Sequence, residues 1–122
     1  MHTRDLERCM ARWQTRLDLD SWQIKIKYIK PWKMDEDCAA RSEIEPYHQK
    51  ALIEITDPKF HNKDEVGYET VEHLILHELL HVRLFPDGIK DPSDGDKEDT
   101  AAFLAIEQGI NFLTRLLLGS EG

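Results

Sequence analysis

Cysteine is scarce in this 122-residue chain, where Cys9 and Cys38 stand far apart and neither belongs to a CxxC pair. The simplest reading is a free-thiol protein of the cytoplasm, with one Cys9–Cys38 disulfide as the alternative. Long apolar runs are missing too: none approaches the roughly 20 residues of a membrane span. The opening residues, Met1-His2-Thr3-Arg4-Asp5, lack the apolar stretch of a signal peptide. No repeat or low-complexity segment is visible. Positive charge is in short supply, with 16 Lys and Arg against 24 Asp and Glu and a net charge of −8. That balance argues against a general nucleic-acid binder.

What is present is an ordinary globular composition, 40% hydrophobic and 33% charged. Residues 1–122 make a single domain, with one core and little room for accessory modules. The basic residues are uneven: eight of the 16 fall in residues 1–33 beside four acids, leaving eight against twenty elsewhere. Arg4, Arg8, Arg12 and Arg16 recur every fourth residue as a basic ridge, and Lys25, Lys27, Lys30 and Lys33 follow. Because Leu6, Met10, Trp13 and Leu17 form the opposite stripe, the ridge reads as a solvated outer face.

Hydrophobic periodicity places a first helix over Thr3 to Leu17. Trp22, Ile24, Ile26 and Tyr28 then alternate with polar residues as in a half-buried strand, which Pro31 ends. Cys38 to Ile44 reads as a second strand and Ala51 to Thr56 as a third, separated by the Pro46-Tyr47-His48-Gln49 turn. A polar loop over 59–68 leads to a helix from about Glu69. A loop rich in Asp, Gly and Pro over 87–96 leads to a last helix from Lys97 to Leu118. The stripe expected to pack this last helix is Ala102, Phe103, Ile106, Ile110, Leu113 and Leu117. The order is α, three strands, α, α, an α+β fold. One strand at the edge of such a sheet can pair with an extended peptide, and the third, nearest in sequence to the following helix, is the candidate.

The chemistry concentrates in His77-Glu78-Leu79-Leu80-His81, an HExxH sequence. On a helix, residues four apart share a face with Cβ atoms roughly 5–6 Å apart, so two imidazoles can grip one Zn²⁺ at about 2.0–2.1 Å. The glutamate after the first histidine is then placed to act on an activated water. Val71, Leu74, Ile75, Val82 and Phe85 form a continuous apolar stripe beside the histidines, and Pro86-Asp87-Gly88 stops the helix. His73 continues the spacing, but eight residues at 1.5 Å each put it about 12 Å from His81. It therefore reads as a supporting or surface residue.

A catalytic zinc takes three protein ligands. No histidine follows His81, so the third must be acidic: Asp87, Glu98, Asp99 or Glu107. Asp87 has the spacing HExxHxxxxxD, but Leu84 stands where a glycine would turn the chain back. Glu98 and Asp99 lie in the first turn of the last helix, where acids are common as favourable dipole charges. Glu107 lies mid-helix beside the core stripe, with Asn111 one turn later on the same face, able to hydrogen-bond a ligand histidine. Glu107 is the preferred ligand and Glu98 the next.

On these residues the chain resembles small zinc peptidases of the gluzincin kind, above all the ImmA/IrrE-like proteins of phages and mobile elements. The segment Glu107-Gln108-Gly109-Ile110-Asn111 is similar to their ExxAN ligand segment, with Ile110 where alanine is usual. The strand, loop and HExxH order also resembles SprT-like domains, which differ in having a downstream histidine. The resemblance implies a zincin-like fold with an N-terminal helix, a three-stranded twisted sheet, the HExxH helix and a C-terminal ligand-bearing helix. It further implies a zinc-dependent protease with His77, His81 and Glu107 as metal ligands and Glu78 as general base.

The expected function is therefore a cytoplasmic, monomeric zinc metallopeptidase acting on a protein or peptide, with neither nucleic acid nor membrane as partner. Tyr47, His48, His61 and Tyr68 lie in loops that could supply a donor to the oxyanion. The competing readings are a regulatory protein-binding module with a structural or vestigial metal, and a nucleic-acid-associated protease guided by the basic first helix.

Overall fold

Leu6, Met10 and Trp13, spaced three or four apart, are buried along helix α1 (Thr3–Arg16), while Arg4, Arg8, Arg12 and Arg16 are exposed. The computed structural model describes residues 3–34, 39–60, 70–86 and 97–120. Past α1, Asp18 takes the left-handed conformation at φ 59°, a geometry in which short polar side chains are tolerated. Gln14 Nε2 donates to the carbonyls of Leu19 and Trp22, both at 2.9 Å, and so ties down the bend into the first strand.

Strands β1 (Gln23–Ile29), β2 (Ala40–Glu45) and β3 (Lys50–Thr56) form a mixed sheet in the order β1-β3-β2, with β1 parallel and β2 antiparallel to β3. The expected edge role of the third strand is therefore wrong. β3 lies in the centre with both sides paired, and among the described residues the sheet's edges are β1 and β2. The reason is chain order: the hairpin at 46–49 lays β3 back on β2, and its other side pairs with β1. Register aligns Ile26, Ile53 and Ser42 across the inner face, and Lys27, Glu54 and Arg41 across the outer one. Glu54 is buried, with Arg41 Nε 2.9 Å and Lys27 Nζ 3.6 Å away. A buried carboxylate is stable only with such partners.

Helix α2 (Val71–Leu84) starts at Thr70, whose hydroxyl accepts from the His73 amide at 3.2 Å. The expected stripe is only part of its buried surface. Leu74, Ile75 and Val82 are buried, but so are Leu76, Leu79 and Leu80. The helix packs against α1, β2, β3 and the last helix, α3 (Lys97–Ser120), so apolar residues are needed around most of its circumference. Its first turn is fastened to α1 by Glu72, which accepts from Arg12, from Trp13 Nε1 at 3.1 Å and from Cys9 Sγ at 3.5 Å. Cys9 is a buried free thiol, pushed up to about 11 by burial and then by the Glu72 charge. Cys38 lies outside the described residues. Arg16 lies over the Trp13 ring, 5.0 Å from its centroid, so half of the basic ridge is folded back onto the protein.

Along α3, Ile110 and Thr114 are buried, Phe103, Ile106, Leu113 and Leu117 are partly buried, and Ala102 is exposed. Ala102 had been expected in the core stripe, but α3 rests mainly on α2 and covers only a narrow strip of itself. The segment Ala101–Gly119, at mean hydropathy 1.3 and 11% buried, is long and apolar enough to cross a membrane by length and composition alone. Glu107 and Arg115 interrupt it, which is why no uninterrupted apolar run stands out in the sequence.

The contrast between α2's buried and exposed leucines is measurable. Leu79, with 0% exposure, should cost about 2–5 kcal/mol when replaced by alanine. Leu84, at 46% exposure, should change stability by no more than about 0.5 kcal/mol on the same replacement. Urea unfolding of Leu79→Ala and Leu84→Ala compares them directly.

Candidate metal centre

His77 and His81 lie one turn apart on α2, with ring centroids 5.0 Å and Nε2 atoms 3.2 Å apart. Glu107 comes in from α3, with Oε2 3.2 Å from His77 Nε2 and Oε1 3.0 Å from His81 Nε2. A tetrahedral ion with bonds of about 2.0–2.1 Å separates its ligand atoms by roughly 3.3 Å. The three side chains already stand at nearly that spacing.

Protonation sharpens the point. Asn111 Oδ1 lies 2.8 Å from His77 Nδ1. A carbonyl oxygen only accepts, so Nδ1 carries the hydrogen and a neutral ring turns its Nε2 lone pair towards Glu107. A lone pair and a carboxylate facing each other at 3.2 Å need a cation between them, either a proton or a metal ion. The hydrogen bond expected between Asn111 and a histidine is present, with His77 Nδ1 donating and Asn111 Oδ1 accepting.

His77, Glu78 and His81 form a group whose ligand atoms lie within 4.8 Å of one another and which could hold a metal ion. Two carboxylates therefore compete for the place beside the histidines. Glu107 is the stronger candidate, because its oxygens touch both Nε2 atoms. Glu78 is buried on the sheet side, hydrogen-bonded to Ser42 of β2. Burial pushes its carboxyl up, against the opposing charges of His81 and His77 and the Ser42 hydrogen bond. Ser42 was not anticipated, yet it had left a signal: a polar residue in the inward phase of β2, between Ala40 and Ile44.

Glu98 and Asp99 occupy the first turn of α3, about 12–14 Å along the helix from Glu107. The turn facing the histidines thus carries Glu107 and neither of them. Asp87, His61 and Tyr68 lie outside the described residues. Tyr47 is exposed on the β2–β3 turn, and His48 Nδ1 is 2.7 Å from Glu45, within the same turn. His73 stacks beside His77 at 6.5 Å between ring centroids and is not in the group that could hold a metal ion.

No protein-family model, no curated protein and no solved structure matches this chain. The chemistry of the site must accordingly be read from its geometry.

In the metal-free protein, hydrogen bonds from His77 and then His81 hold the Glu107 carboxyl at about 2, below its ordinary 4.5. Burial pushes the His77 ring down, but the Glu107 hydrogen bond, the Glu78 and Glu107 charges and Asn111 outweigh it, and the net shift is upward from 6.5. The Glu107 contribution is complete above its ordinary value and lost as pH falls towards about 2. The His77 contribution is complete below its ordinary value and lost as pH rises through the elevated folded one. The difference in Tm between unmodified and Glu107→Gln protein, both freed of metal by a chelator, should therefore be largest between pH 4.5 and 6.5. Thermal melts across that range and on both sides of it test the window.

Proposed function

We propose that this chain is a zinc-dependent peptidase of the gluzincin kind, with His77, His81 and Glu107 as metal ligands and Glu78 as general base. The observation that carries the reading is the convergence of two imidazole nitrogens and one carboxylate at 3.0–3.2 Å. Two imidazoles and a carboxylate are a donor set suited to a zinc ion with one position left open. When bound, zinc would lower the pKa of water towards about 7 and polarise the scissile carbonyl.

The remaining work falls to the chain. Glu78 takes the proton of the attacking water and delivers it to the leaving amine, a role that suits a carboxyl raised above its ordinary range. The Ser42 hydroxyl of β2 offers the Glu78 carboxyl a hydrogen bond that favours its charged form. Asn111 holds the His77 ring by its outer nitrogen. Strand β2 is an edge of the sheet among the described residues, beside this base, and an extended peptide can pair with its main chain there. Binding of that kind reads backbone amides, which favours a peptide over a sugar or a nucleotide.

Metal analysis tests the ligand set. His77→Ala and Glu107→Ala should lose bound zinc, Glu98→Ala should keep it, and Asn111→Ala should bind it about 10–100-fold more weakly. Retention of zinc by Glu107→Ala together with its loss from Glu98→Ala would reassign the third ligand.

Catalysis is tested separately by Glu78→Gln, which should keep zinc and lose at least about 100-fold in kcat/KM on a peptide library. Unchanged hydrolysis in that variant removes Glu78 from the mechanism. Absence of hydrolysis by the zinc-loaded unmodified chain removes the peptidase reading itself.

A further inference from the structure

The side of α3 turned away from the metal centre is largely apolar and is left open by the described residues, with Phe112 and Leu116 both 58% exposed. Positions 101, 105, 108, 112 and 116 recur at spacings of three and four, so they share one face. Along it, the small residues Ala101 and Ala105 occupy the first half and the large Phe112 and Leu116 the second. Gly109 lies at its margin, and a Cβ built there meets no atom within 4 Å.

We propose that this face is the contact between two copies of the chain, packed antiparallel about a two-fold axis near Gln108 and Gly109. In that register Phe112 of each copy sits over Ala105 of the other, and Leu116 over Ala101. Every large side chain meets a small one, and the contact is self-complementary, as a two-fold interface must be. A parallel pairing instead sets Phe112 against Phe112 and leaves Ala105 facing Ala105.

The available area sets the strength. Ala101–Gly119 spans 19 residues, or about 28 Å of helix some 10–12 Å across, so half its lateral surface is on the order of 500 Å² per copy. Two such faces reach the lower limit of about 1,000 Å² for a specific interface. The dimer is therefore reversible.

A lipid bilayer is the poorer occupant. Insertion of α3 would pull Glu107 and Asn111 away from His77. An interfacial helix needs a Lys- and Arg-rich polar face, and α3 carries only Lys97 and Arg115.

Sedimentation velocity of the full chain from about 1 to about 200 μM should show a monomer passing to a dimer. Phe112→Glu should stay monomeric throughout. Ala105→Leu decides between a fitted contact and mere stickiness, because it enlarges the apolar face while filling the seat of the partner's Phe112. It should weaken the dimer at least tenfold. A monomer at every concentration, tighter association of Ala105→Leu, or capture of the unmodified chain by phosphatidylcholine–phosphatidylglycerol vesicles would each overturn the proposal. None of these readings depends on zinc or on peptidase activity.

Discussion

Helix α2 touches α1, two strands and α3, and that enclosure constrains everything polar it carries. With six aliphatic residues committed to packing, His77, Glu78 and His81 are held in fixed directions rather than swept through solvent. One residue of helix turns the side chain by about 100°. His77 and His81 therefore face α3, and Glu78 between them faces the sheet and Ser42. A single helical turn thus sends the His77 and His81 nitrogens and the Glu78 carboxylate to different neighbours.

The second constraint is electrostatic. Two imidazoles and a carboxylate have been brought closer than their lone pairs tolerate without a cation. The opposite shifts of His77 and Glu107 are the metal-free protein's answer, in which a proton serves as that cation. Helix α3 matches α2 in period: Glu107 and Asn111 are four apart, as are His77 and His81. Asn111 meets His77 while Glu107 reaches on to His81, so the two helices run antiparallel at the site.

The same narrow attachment explains the outer side of α3. A helix that must present Glu107 and Asn111 to α2 is held there by Ile110 and Thr114, with Thr114 Oγ1 turned back onto the Ile110 carbonyl at 2.7 Å. Little else of it is buried, and the apolar remainder faces outward. Glu72 plays the corresponding part at the other end of the core, where one carboxylate collects Arg12, Trp13 and Cys9 and locks α1 to the start of α2.

Local pattern determined the elements. Three-four spacing placed α1, α2 and α3 to within a few residues, alternation placed β1 and β3, and His77, Glu78 and His81 stood out because their spacing is a property of one helix. Glu107 and Asn111 could be selected by helix face and by the lack of any later histidine. What local pattern could not decide was the order β1-β3-β2, which put β2 at an edge of the described sheet beside Glu78 and overturned the choice of β3. Nor could it identify Ser42 or Glu72, or foresee that Ala102 would be exposed. Those are contacts between residues dozens of positions apart, and periodicity carries no information about partners. The sequence determined which faces were apolar and which side chains could bind a cation; only tertiary packing decided what each face met, because burial and pairing are chosen by the whole chain at once.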